Sequence, residues 1–165
     1  MHKLYCEISE LTLGQLYLLK ICDDRKITEF WNEKLNQNFS VGLLMKVATG
    51  KYKFPSLNFI YAMKDYVAPY EWFYTQSEYD SLERRPEPIA KEEYTDDIKT
   101  SRNFSKMQEL YKEKKLWKFC QEHFGESFQV TYMTFLHAMT GRNSISPFQI
   151  KKLTGVFPVE DWFRK

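Results

Sequence analysis

The chain carries one pattern twice. Thr49-Gly50 is followed by Pro55-Ser56, Ile60, Pro69 and Glu71-Trp72-Phe73; Thr140-Gly141 is followed by Ser146-Pro147, Ile150, Pro158 and Asp161-Trp162-Phe163. The copies run in register about ninety residues apart, with one-residue adjustments in the loops. A repeated supersecondary unit restricts the architecture more than any single residue can, because both copies must meet the same caps, stops and core positions.

The repeated grammar is helical. Thr12 with Gln15 makes a capping box, and Leu11 with Leu16 can staple the helix entry. Leu13, Leu16, Tyr17 and Ile21 then share one helical face. Ile27, Phe30, Trp31 and Leu35 repeat the spacing in a second helix, which Asn36-Gln37-Asn38 breaks. Ser40 caps a third helix running to Thr49, and Gly50 suits its stop. Ser56 caps a fourth, with Leu57, Ile60 and Met63 inward, and Pro69 opens a short turn carrying Trp72 and Phe73. In the second copy Ser105 with Gln108 forms a capping box, and Leu116, Phe119, Cys120 and Phe124 share a face. There Thr131, Gly141 and Ser146 take the places of Ser40, Gly50 and Ser56. The expected fold is all-α: two similar units of four to five helices, residues 1–74 and 104–165, each closed by a buried tryptophan. Residues 75–103 read as an acidic linker, with Glu78, Asp80, Glu83, Glu87, Glu92, Glu93, Asp96 and Asp97 against Arg84, Arg85, Lys91, Lys99 and Arg102. Arg84-Arg85-Pro86-Glu87-Pro88 cannot be helical throughout, and short helices are expected near Ile89 to Tyr94 and toward Ile98.

At 165 residues, 17% of them aromatic, the chain can bury its own cores. It has no apolar run long enough to span a membrane and no apolar leader after Met1, so a cytoplasmic, membrane-free protein is expected. Cys6, Cys22 and Cys120 are odd in number and scattered, as reduced thiols are. Cys120 and His123 have C-x-x-H spacing but no second ligand pair, and read as a core thiol beside a surface histidine. No nucleophile–base set, phosphate-binding glycine loop or carboxylate pair stands out, so neither enzyme activity nor a metal or cofactor is expected.

The two copies resemble the Cro/C1-type helix-turn-helix family, the xenobiotic-response-element fold of phage repressors. In the first copy the likeness is carried by Phe39-Ser40, Leu44, Val47, Gly50-Lys51, Pro55-Ser56-Leu57, Ile60 and Trp72. In the second it is carried by Val130-Thr131, Phe135, Ala138, Gly141-Arg142, Ser146-Pro147, Ile150 and Trp162. Both copies depart from the family at the turn glycine, near whose place stand Asn38 and Gln129. In that family the third helix enters the major groove. The resemblance implies groove-facing roles for Val41, Gly42 and Lys46, then Tyr132, Met133 and His137. Ser40, Lys51, Lys53, Thr131 and Arg142 would lie at phosphates.

Net charge is only +2, but its distribution is uneven. The stretch 34–64 has no acid and holds Lys34, Lys46, Lys51, Lys53 and Lys64; the stretch 127–159 has none and holds His137, Arg142, Lys151 and Lys152. These windows contain both third helices and the loops after them, where a polyanion would meet this fold. The expected partner is double-stranded DNA, read by a phage-type or bacterial transcriptional regulator. One chain would supply two half-site readers if the third helices lie about 34 Å apart, and a homodimer would add more. The alternative is a helix-turn-helix scaffold turned to a protein or nucleoprotein partner, as in an anti-CRISPR inhibitor. Leu43, Met45, Tyr132, Met133 and Leu136 favour it, being apolar where base readers are polar. At least three of these five are expected to be buried, either between the two copies or in a partner interface.

Overall fold

The computed structural model describes residues 2–35 and 38–165. The chain is all-α; among the described residues the β content is two isolated antiparallel bridges. It divides into two compact units, residues 1–88 and 89–165.

The first unit runs α1 (Leu13–Asp23), α2 (Ile27–Glu33), α3 (Val41–Ala48) and α4 (Leu57–Ala62), then a 3-10 turn (Pro69–Trp72) and a short α5 (Gln76–Asp80). The second runs α6 (Arg102–Lys112), α7 (Leu116–Phe124), α8 (Phe128–Met139), α9 (Pro147–Lys152) and a 3-10 turn (Val159–Trp162). The order of elements repeats, and so do backbone details. Arg25 and Lys114, in the turns after α1 and α6, both take positive φ, 58° and 60°. Thr49 and Thr140 each return their hydroxyl to the carbonyl four residues back, at 2.7 and 2.9 Å.

Each core is built around its tryptophan. Trp72 and Trp162 are both fully buried, as their place at the close of each copy predicts. Trp72 takes Phe59 edge-on at 5.4 Å and 81°, while Trp162 meets Phe157 at 5.6 Å. Burying rings of this size outweighs a polar cost: among the described residues neither indole N–H has a hydrogen-bond partner.

The Thr12–Gln15 capping box forms as expected, with the Thr12 N–H donating to Gln15 Oε1 at 2.9 Å and the Gln15 N–H to Thr12 Oγ1 at 3.3 Å. The buried face of α1 is not the one its apolar spacing suggests. Gly14, Gln15, Leu18 and Cys22 are buried, while Leu13, Leu16 and Ile21 are half-buried and Tyr17 is exposed. A small and a polar residue go inside for specific reasons. A Cβ at Gly14 would meet the Trp72 ring at 2.5 Å, so only glycine lets the helix approach it. Gln15 donates to the Val47 and Tyr52 carbonyls at 3.0 and 2.9 Å, which offsets its burial.

The second unit departs from its reading in three places. α6 begins four residues earlier than Ser105 implies: Ser101 caps it, accepting from the Phe104 N–H at 3.2 Å, and Ser105 lies inside the helix. α8 begins at Phe128, so Thr131 is a buried mid-helix residue and not an N-cap. The turn glycine is Gly125 (φ 55°, ψ −137°), four residues before Gln129, which is itself in α8. That backbone shape suits glycine; it stops α7 and leads through a 3-10 turn (Gly125–Ser127) straight into α8. In the first unit the break after α2 includes Asn36 and Gln37, which lie outside the described residues; there Trp31 Nε1 donates to the Phe39 carbonyl.

Residues 75–103 are mostly absorbed by the units. Thr75 pairs with Thr12 and caps α5. The expected short helices appear as 3-10 turns, Lys91–Glu93 and Ile98–Thr100. They are held by the end of the chain: the Thr95 N–H donates to the Phe163 carbonyl at 2.9 Å, and the Arg102 N–H to the Arg164 carbonyl at 2.8 Å. Thr95, Ile98 and Ser101 are buried, which a solvated linker would not allow.

Candidate nucleic-acid interface

Ser40 begins the site in the first unit. Its hydroxyl accepts from the Leu43 N–H at 3.1 Å, so it serves as the N-cap of α3 while staying exposed. Leu44, Val47 and Ala48 then turn inward, where α1 packs against α3. That burial fixes the helix rotation and sets Gly42 and Lys46 outward, with Val41 half-buried between. At the far end Gly50 (φ 78°) reverses the chain. The Tyr52 N–H returns to the Lys46 carbonyl at 3.2 Å, and the Tyr52 carbonyl accepts from Gln15. The loop that carries Lys51 and Lys53 is thereby tied to α1.

The start of the chain lies beside this loop. The Tyr5 N–H donates to the Thr49 carbonyl at 3.0 Å, and a ring nitrogen of His2 lies 3.4 Å from the Cys22 carbonyl. The result is a shallow basin of about 220 Å³. Lys3, Lys46 and Lys51 line it with His2, over a floor of Tyr5, Met45 and Thr49. Among the described residues no acidic side chain lines it. The Lys51 ammonium lies 5.5 Å from the Tyr5 ring centre, and that of Lys46 lies 6.0 Å from the Tyr52 ring centre. These contacts hold the lysine stems against aromatic surface while their charged heads remain in water, where they can meet an anion. Lys53 is exposed and leans on Phe54, outside the basin.

The structure thus brings Lys46 and Lys51 together and adds His2, Lys3 and Tyr5, which sequence reasoning missed. No local signal pointed to them, since the contact spans more than forty positions of chain.

The corresponding part of the second unit differs. Arg142 is exposed and His137 half-buried. Thr131 is only 5% exposed, so its hydroxyl is not available to a phosphate. Tyr132 lies edge-on to the Trp117 ring at 4.9 Å and 81°. Met133 is exposed. Within the chain alone none of the five apolar residues is fully buried, so the expected burial of three would fall to a partner interface. Leu43, Met45, Tyr132 and Leu136 are half-buried. The inward stripes are Leu44–Val47–Ala48 and Thr131–Phe135–Ala138, and the five flank them at the edge of each core.

Among the described residues no cysteine lines the basin. Burial, with a smaller push from Asp23, raises the Cys22 thiol to about 11, and burial alone raises Cys120 to about 11. Cys120 is a core thiol and its neighbour His123 is on the surface. Among the described residues no helix is long and apolar enough to cross a membrane. The chain matches no family model, no curated protein and no solved structure.

Proposed function

We propose that the chain is a nucleic-acid-binding protein of helix-turn-helix type that engages the backbone of double-stranded DNA with its first unit, as a transcriptional regulator does. The observation that carries this reading is the acid-free basin of Lys3, Lys46, Lys51 and His2 beside α3. Clustered ammonium groups without carboxylates favour a polyanion, because each phosphate contact releases condensed counterions. Ser40 and Gly42 extend the surface to the start of α3, and Lys53 borders it. In the second unit Arg142 and His137 are the remaining contacts; Thr131 is withdrawn from the set.

Binding to random duplex DNA across a salt series tests this. A Lys46→Ala/Lys51→Ala double variant should flatten the slope of log K against log salt by about 2, at roughly 0.9 per phosphate contact. An unchanged slope would remove the basin from the binding surface.

A protein or nucleoprotein partner is the second reading, and the exposed Val130 and Met133 on α8, 65% and 46% exposed, favour it. Apolar side chains left open on one helix face suit a protein contact better than a phosphate backbone. Absence of duplex binding at low salt would favour this reading over the first.

A further inference from the structure

The second unit has a cleft of its own. It lies between the α6–α7 turn and α8, encloses about 400 Å³, and is lined by Tyr111, Lys112, Lys114, Leu116, Trp117 and Tyr132. Trp117 is 46% exposed and Tyr111 50%. Trp117 is held from below, with Phe128 edge-on at 5.0 Å and Tyr132 edge-on at 4.9 Å, so its orientation is set by packing.

The fold does not require this tryptophan. The α1–α2 turn has the same positive-φ basic residue, Arg25 matching Lys114, yet carries Thr28 where α7 has Trp117 and Asp23 where α6 has Lys112. A large ring left half in water, at a place where the repeat manages with threonine, points to a ligand. The lysines define its charge. Glu113, the acid between them in sequence, is engaged by Lys115 at 2.7 Å. Ammonium groups at the rim repel a cationic guest, which a Trp-Tyr cage would otherwise suit. A flat π-face bearing an anionic group fits both features, and a nucleobase with its phosphate has that composition.

We propose that this cleft binds an unpaired nucleotide of a single-stranded nucleic acid, with the base stacked on Trp117 and the flanking phosphates at Lys112 and Lys114. A strand suits the site better than a free nucleotide. Trp117 and Tyr111 leave about half of their surface open to a base, whose other face is covered in a strand by its neighbours. The inference stands apart from the duplex reading, since it uses neither Lys46 nor Lys51.

The test is anisotropy of a labelled oligothymidylate of about ten residues, with a duplex of equal length as control and thymidine monophosphate as competitor. The wild type should bind the single strand with quenching of tryptophan fluorescence that Trp117→Phe abolishes, since Trp72 and Trp162 are fully buried and Trp31, half-buried in the other unit, remains in the variant as the control. Trp117→Ala should weaken single-strand binding by about 5- to 150-fold, the range for one lost base–aromatic stack, and leave duplex binding unchanged. Trp117→Phe, which keeps a ring, should lose less. Lys112→Ala/Lys114→Ala should flatten the single-strand salt slope by about 1.4, at roughly 0.7 per contact. Circular dichroism checks folding; should Trp117→Ala unfold, the Phe and double-lysine variants decide. Three results would each overturn the proposal: no single-strand binding, affinity indifferent to these variants, or displacement by the mononucleotide at equal base concentration.

Discussion

Single residues in this protein act mainly by filling or sparing space. Gly14 and Trp72 are one device seen from two sides, because the ring occupies the volume that any Cβ at residue 14 would need. Trp72→Ala should therefore destabilise the protein by about 3–5 kcal/mol through the cavity it leaves. Gly14→Ala should cost about 1–3 kcal/mol through overpacking, both read from urea unfolding. A loss below about 1 kcal/mol for Trp72→Ala would show that the ring is not the keystone its burial implies. The buried thiols make a prediction of their own. Cys22 and Cys120 hold their protons up to about 11 in the folded protein, against 9.0 for an ordinary thiol. Between those values the folded state binds more protons than the unfolded chain. Their contribution to stability is thus complete below pH 9 and declines as pH rises toward 11. Cys22→Ala/Cys120→Ala should lose this part of the alkaline decline; an identical pH profile would contradict the shift.

At the scale of the element, caps decide where helices start. Ser101 and Ser105 are both plausible starts for α6, and the structure uses the first. Ser101 is fully buried, accepts from the Phe104 N–H, and donates to the Ile98 carbonyl at 2.6 Å. Replacing it by Ala should cost about 1–2 kcal/mol. Ser105→Ala, at an exposed position inside the helix, should stay within about 0.5 kcal/mol of wild type. Thermal unfolding of the two variants separates them, and equal effects would mean that α6 starts elsewhere. The same logic explains α8. With Gly125 as the stop of α7, the next helix begins at once and Thr131 becomes interior. The analogy of Thr131 with Ser40 breaks at this junction, where α3 starts after a serine cap and α8 starts three residues before Thr131.

For the whole molecule, the boundary between units falls at residue 88, inside the stretch expected to be an acidic linker. Native trypsin should cut first at the Arg84–Arg85 bond, since both side chains are exposed and lie outside the helices. Lys99 and Arg102 should be cut later, because the backbone around them is pinned to the end of the chain: the Thr95 and Arg102 N–H groups donate to the Phe163 and Arg164 carbonyls. First cleavage at Lys99 or Arg102, read by mass spectrometry, would return that segment to the linker. No composition argument anticipates its capture. Asp96 and Asp97 are exposed as acids should be, but Thr95, Ile98 and Ser101 between and beside them are buried by partners about sixty residues away.

Local, periodic chemistry was sufficient to establish the all-α class, the order of helices, the Thr12–Gln15 box, the Ser40 cap and the two tryptophan closures. Each of these depends on neighbours within a few turns of the same helix or on the plain size of a ring. Tertiary packing decided the rest. It turned α1 so that Gly14 and Gln15 face inward, because a close approach and two distant carbonyls outweigh apolar spacing. It buried Thr131 and set Tyr132 against Trp117. It carried His2, Lys3 and Tyr5 to Lys46 and Lys51, forming a basin from groups that share no local pattern. The physical reason is range: caps and periodicity act along one helix, whereas a surface of like charges or a cleft of rings exists only once distant segments have been folded side by side.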